Sequence, residues 1–160
     1  MKERAYQLCR VTAMNLLARR EHSKKELLRK LILRDFDEQT VGQVLSDLIQ
    51  ENLLSDRRFA EAFVRSRISK GQGPLRIRRD LSERGVADEL IADYVNGRQW
   101  LTLAIDVRQK RFGNELPEGY KECARQMRFL QYRGFDGEQI SGAMKQDGWQ
   151  DPPANPISRE

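Results

Sequence analysis

The chain has 160 residues, 39% hydrophobic and 33% charged, with a net charge of +5 and a pI of about 9.4. That length allows a sizeable core or a few small units, and so lean an apolar content suits narrow helical stripes and an extended helical body better than a thick globule. No apolar run approaches the roughly 18 residues of a membrane span, and the start, MKERAYQLCR, lacks the apolar core of a signal peptide. Cys9 and Cys123 have no CxxC spacing, so neither a zinc site nor a disulfide framework is suggested. Each is expected to pack as a small apolar group in a protein of the reducing cytosol.

In chain order, the first predicted element is AYQLCRVTAMNLLARR, with Ala5, Leu8, Thr12, Leu16 and Leu17 at helical spacing. In HSKKELLRKLILRDF, Ser23 and Glu26 form an S-x-x-E capping box, and Leu27, Leu28 and Leu31 supply an apolar stripe. A third helix is expected from about Asp37, with Val41, Val44, Leu45 and Leu48 inward. Ser55 or Asp56 can cap a fourth helix carrying Phe59, Ala62 and Phe63. In SKGQGPLRIRRDL (69–81), Gly73 suits an N-cap and Pro74 the first position of a new helix, with Ile77 and Leu81 inward. A Walker loop is absent, but a helix start with Lys70 nearby leaves an anion site as a second reading. Asn96-Gly97 marks a turn, and Gly113, Asn114 and Pro117 break the chain before GYKECARQMRFLQYRGF. The tail DPPANPISRE has little to bury. No window alternates as a half-buried strand would.

Three short stretches align: RDFDEQTV (34–41), RGVADELI (84–91) and RGFDGEQI (133–140). Phe36, Val86 and Phe135 correspond, with Leu31, Leu81 or Leu130 five residues before and Val41, Ile91 or Ile140 five after. The period is 50 and then 49 residues, the mark of a repeat architecture whose units bury faces against one another. The expected fold is all-α, with three tandem three-helix repeats (1–53, 54–97 and 98–148) forming an elongated, curved, solenoid-like body, and a flexible tail at 149–160.

Charge is blocked along the chain: residues 1–34 hold ten Lys/Arg against three acids, 35–56 hold six acids and no Lys/Arg, and 57–84 hold nine Lys/Arg against three acids. Such basic blocks fit nucleic acid or an acidic protein surface, and equally a solvated helix face. Arg29, Arg79 and Arg128 recur two residues before the inward leucine, about 200° round the helix, and so point outward. Stacked repeats would align them as a basic ridge. Arg34, Arg84 and Arg133 recur in the last helical turn, where the helix dipole favours a cation. Arg78 stands where the other repeats have Leu28 and Met127; it either snorkels along the core edge or reaches a partner. Arg65, Arg67, Lys70 and Arg76 enlarge this basic region.

Catalytic signals are missing. His22, the only histidine, reads as a turn residue beside the capping box, and Asp35, Asp37 and Glu38 read as caps and dipole partners rather than metal ligands. No cofactor is expected, and no catalytic motif is present.

Four stretches carry a resemblance to a known family: REHSKKELLRKL (20–31), LLSDRRFAEAFVRSRISKGQGPLRIRRDLSERGV (53–86), KRFGNELP (110–117, with Lys110 where the family has arginine) and RFLQYRGF (128–135). In this order and to this extent the chain resembles the RecX family, bacterial regulators of the RecA recombinase. The resemblance implies a nonenzymatic cytoplasmic protein of tandem three-helix repeats. It would bind the RecA filament along its groove, restrain recombinase and ATPase activity, touch single- and double-stranded DNA without sequence preference, and serve DNA repair, homologous recombination and the SOS response as a monomer. The alternative is a nonspecific DNA-binding module acting without RecA. The family's signature falls on Asp56, Arg58, Phe59, Lys70, Gly73, Pro74, Arg76, Ile77, Leu81 and Gly85, most of them structural. The expected partner- and DNA-contacting set is Arg29, Arg65, Arg67, Lys70, Arg76, Arg78, Arg79, Arg128 and Arg133. Only the first repeat departs, with Asp35 where the others have glycine, which puts its left-handed turn in question.

Overall fold

The computed structural model describes residues 1–145, and the predicted tail lies outside them. Among the described residues there are nine helices and no strand: α1 (Lys2–Arg19), α2 (Lys24–Leu33), α3 (Glu38–Gln50), α4 (Asp56–Ser69), α5 (Pro74–Glu83), α6 (Asp88–Val95), α7 (Trp100–Phe112), α8 (Tyr120–Arg133) and α9 (Gly137–Ala143). The fold is all-α, as expected, and the helices come in threes.

The recurring turn has a specific physical form. The N–H groups of Phe36, Val86 and Phe135 donate to the carbonyls of Leu31, Leu81 and Leu130 at 3.4, 3.1 and 3.2 Å. One residue earlier, Asp35, Gly85 and Gly134 donate to Ile32, Ser82 and Gln131, each at 3.0 Å. Those paired bonds are the Schellman helix stop, and its usual apolar contact joins the leucine to the residue closing the turn. The five-residue spacing in the sequence is that contact. All three turn residues are left-handed, with φ of 67° at Asp35, 78° at Gly85 and 100° at Gly134. Aspartate therefore adopts the glycine conformation in the first repeat.

Two compact units divide the described residues: Met1–Arg65 with Asp80–Asn96, and Ser66–Arg79 with 97–145. In the first, α1 and α2 pack on α3 around Cys9, Ala13, Leu27, Leu31, Val41, Val44, Leu45 and Leu48, all 1% exposed or less. In the second, α7 and α8 pack with α9 around Ala104, Val107, Cys123, Leu130, Phe135, Ile140 and Met144. Full burial of each larger apolar side chain contributes about 1.5–3 kcal/mol.

Two predicted stripe positions need correction. Leu8 is 54% exposed, and α1 buries Cys9, Ala13 and Leu16 instead. Small residues at Cys9 and Ala13 carry the buried face, which a search for large apolar residues overlooks. Leu28 is 37% exposed; Leu27 and Leu31, four apart, carry the burial of α2.

Candidate partner and nucleic-acid interface

The basic helix start at 69–81 is fixed by contacts made twice in the molecule. In the first unit, Ser23 caps α2: its hydroxyl accepts from Glu26 N–H at 3.1 Å, and Glu26 Oε1 accepts from Ser23 N–H at 3.3 Å. The same hydroxyl donates to the Arg84 carbonyl at 2.7 Å, in the turn that ends α5. The adjoining Gly85 approaches so closely that an added Cβ would lie 2.8 Å from Lys25 Cβ.

In the second unit, the equivalent positions are Gly73 and the turn that ends α8. Here Gly73 N–H donates to the Arg133 carbonyl at 2.8 Å and Leu75 N–H to the Gly134 carbonyl at 2.9 Å. A Cβ on Gly73 would come within 2.5 Å of the Gly134 and Phe135 backbone, and one on Gly134 within 2.4 Å of Arg76 Cβ. Ile77 N–H donates to the Gly73 carbonyl at 3.2 Å, so Gly73 is the N-cap and Pro74 the first helical residue. The anion-site reading of this helix start is corrected: its leading N–H groups are bonded to the α8 turn and covered by Gly134. The capping-box carboxylate is likewise dispensable, and the position of Glu26 is filled by Arg76.

Of the predicted contact residues, Arg29, Arg65, Lys70, Arg79 and Arg128 are exposed, and Arg67, Arg76, Arg78 and Arg133 half-buried. Arg29 and Arg65 lie in the first unit, and the others in the second. The outward orientation inferred for Arg29, Arg79 and Arg128 is thus present in all three repeats. Arg65 pairs with Glu61 at 3.1 Å on the same helix, an exposed contact worth little. Arg67 donates to Gln72 at 3.2 Å. Arg76 lies 5.8 Å from the centre of the Tyr132 ring.

The last-turn arginines have structural work. Arg34 and Arg84 donate to the carbonyls of Lys30 and Asp80, one turn back, at 3.1 and 3.0 Å. Arg84 also lies 4.9 Å over Phe63. Arg133 donates to the Lys70 carbonyl at 2.9 Å and lies 5.0 Å over Phe129. Arg78 is half-buried and its counterpart Leu28 exposed, so this repeat position lies at the edge of the core rather than in it.

Signature residues Asp56 and Arg58 face inward contacts too. Asp56 Oδ1 accepts from Lys24 N–H at 2.8 Å, leaving Ser55 to cap α4 through Arg58 N–H at 3.2 Å. Arg58 donates to Glu21 at 3.0 Å and to Asn52. His22 is 1% exposed; its Nδ1 meets the Arg20 carbonyl at 3.1 Å and its Nε2 the Lys30 ammonium at 2.8 Å. Since the ammonium can only donate, Nε2 accepts and the ring is neutral. Burial pushes the imidazole below its ordinary pKa, opposed by the bond to Arg20 and reinforced by nearby Arg20 and Lys30 charge.

Two residues were missed in the sequence. Tyr132 is 79% exposed beside Arg76, a basic and aromatic pair that the absence of a stacking motif hid. Its place two residues after inward Leu130 is the signal. Arg108 is fully buried, with Nε donating to the Ala143 carbonyl at 3.1 Å and Nη1 to the Glu115 backbone carbonyl at 3.3 Å. Burial lowers its pKa. Together with Cys123, whose thiol meets the Pro117 carbonyl at 3.8 Å, it holds the loop within KRFGNELP. Among the described residues no cluster of three or more His, Cys, Asp or Glu could hold a metal, and no helix is long and apolar enough to cross a membrane.

Comparison with known proteins matches three consecutive family models: the first, second and third three-helix domains of RecX at residues 9–48, 55–95 and 98–144. The chain is 46% identical over 141 residues to "Regulatory protein RecX" of Halorhodospira halophila, covering 87% of this chain and 88% of the relative. It is 45% identical over 134 residues to that of Pseudomonas fluorescens strain SBW25, covering 82% and 86%. The crystal structure of RecX from Lactobacillus salivarius superposes with a TM-score of 0.74 at 21% identity, covering 89% of this chain and 96% of the other, and so shares the fold. With three three-helix domains matched in order and close relatives along most of its length, the chain belongs to the RecX family of regulatory proteins.

Proposed function

We propose that this chain regulates the RecA recombinase, mainly by inhibition. It binds the groove of the RecA–DNA filament and restrains ATP hydrolysis and strand exchange during DNA repair and the SOS response. It acts in the cytoplasm as a monomer, without a cofactor or catalytic chemistry of its own. The observation that carries this reading is the exposure of Arg29, Arg79 and Arg128 at one position of all three repeats. An arginine exposed at one position of every repeat can meet acidic side chains or phosphates of a partner outside the chain. If the repeats stack into an elongated, curved body, these cations form a ridge suited to a groove lined by acidic side chains and phosphates; a globular small-angle scattering profile would contradict that shape. Adding the protein stoichiometrically to RecA on single-stranded DNA should slow ATP hydrolysis and strand exchange. Reversing Arg79 and Arg128 to glutamate should relieve the inhibition at least ten-fold. No effect of the parent protein overturns the reading, and inhibition that survives the double change removes the ridge from it.

The Tyr132–Arg76 pair favours a second reading, a nonspecific DNA-binding module that acts without RecA. Base stacking on an aromatic ring contributes about 1–3 kcal/mol and tolerates any sequence. Affinity should then fall with salt by a log–log slope of about −0.9 per phosphate contact on duplex DNA. A slope near zero rules that out.

A further inference from the structure

The second unit contains a cleft of about 280 Å³ between the end of α4, α7 and α8. Its apolar lining comes from Ile68, Leu103, Val107 and Phe129. Its cations are Lys70, Lys110, Arg111 and Arg133, and the one acid among the lining residues is Asp106. An apolar floor ringed by an excess of three positive charges selects for an occupant that is apolar at its tip and anionic around it. We infer that this cleft is a docking site for an acidic peptide segment of a protein partner, which inserts one large apolar side chain between flanking carboxylates.

Three observations favour a peptide over a nucleic acid. First, small-molecule pockets run to about 300–1,000 Å³; at about 280 Å³ this one falls just below that range, a size that suits a single inserted side chain. Second, the Phe129 ring is not open for base stacking: Arg133 lies over it at 5.0 Å, and Phe112 meets it edge-on at 5.2 Å. Third, the Lys70, Gly71 and Gln72 N–H groups at the α4 end are bonded within their own turn, and the Lys70 carbonyl accepts from Arg133. Recognition therefore falls to side-chain cations, and Arg133 is held in place by those two contacts. Anchored apolar side chains in a small pocket dominate protein interfaces, with charged neighbours setting specificity. The inference does not require RecA to be the partner.

The test uses the full chain and a fluorescein-labelled peptide, Glu-Asp-Phe-Glu-Asp, followed by anisotropy. Binding should weaken at least ten-fold when the peptide phenylalanine is replaced by alanine. It should weaken as much when Lys110→Glu and Arg111→Glu are combined, both exposed positions. Asp106→Asn should strengthen it two- to three-fold. Three results would overturn the proposal. One is an alanine peptide binding within two-fold of the parent, which means charge attraction alone. Another is a double variant binding as well as the wild type. The last is oligothymidylate of equal charge whose affinity depends on Lys110 and Arg111 while that of the peptide does not, which assigns the cleft to nucleic acid.

Discussion

The two places where a helix start meets a Schellman turn, one in each unit, solve the same problem by different means. Around Ser23 the helix caps itself, with a side-chain hydroxyl and a Glu26 carboxylate, and one hydroxyl proton reaches the Arg84 carbonyl. Around Gly73 the helix has no side chain to cap with, and the Arg133 and Gly134 carbonyls accept from its N–H groups directly. Losing the side chain allows backbone to approach backbone. It also releases the third helical position from capping duty, and that position is Arg76, one of the predicted contact residues. The tighter joint thus leaves one more position of the second unit open to a cation.

That contrast can be broken at its tightest point. Gly134→Ala adds left-handed strain, roughly 1–2 kcal/mol, to overpacking of roughly 1–3 kcal/mol against Arg76. A loss of about 4 kcal/mol is expected in chemical denaturation, with faster hydrogen exchange in α8. A loss below about 1 kcal/mol would mean the close approach is absent. Gly85→Ala meets the Lys25 side chain rather than main chain, and about 2 kcal/mol is expected.

Ser23→Gly sharpens the contrast by making the first joint resemble the second. Glycine serves as an N-cap at a cost of a few tenths of a kcal/mol, and the lost bond to Arg84 adds about 1 kcal/mol. A loss near that sum supports independent joints; a loss of several kcal/mol would show that the first joint also depends on main-chain contact. Asp35→Gly removes left-handed strain from the one repeat without glycine, and a gain of about 0.5–1 kcal/mol in unfolding free energy is expected.

The smallest effect is on pH. His22 and Gln72 are equivalent buried positions just before the two helix starts, and only the first titrates. Its folded pKa lies below the unfolded value, so the unfolded chain takes up the proton first as pH falls. Stability is complete above the unfolded value, about 6.5, and declines as pH drops below it. The melting temperature of the parent should fall between pH 7 and 5, and His22→Gln should flatten that slope.

Much of this was legible in the sequence, for local reasons. Leucine, a left-handed residue and an apolar residue at fixed spacing form a turn that needs no distant partner, so the repeat could be read directly. The same holds for Ser23 with Glu26. What could not be read depends on residues far along the chain. Gly73 reads as an ordinary N-cap until the Gly134 backbone is set against it. Ala13 looks weaker than Leu8 until α3 covers it, whereas Cys9 packs as the small apolar group expected of it. Arg133 was expected in the last turn on dipole grounds, yet it donates to Lys70, which no helix-local rule foresees. Arg108 looks like a surface charge, and only the packing of α7 against α9 makes it internal.

The joint at Gly73 is written almost entirely in main-chain atoms. Such a contact reads length and not identity: peptide groups are the same whatever side chains they carry, but they must arrive at the right separation. A lineage carrying this fold is therefore free to exchange the outward residues of α5 and α8 one by one, retuning its surface for a changed partner. A single inserted or deleted residue between Gly73 and Leu75, or between Leu130 and Phe135, would put the carbonyls out of reach at once. Substitution is the open road for this molecule, and a change of spacing is the closed one.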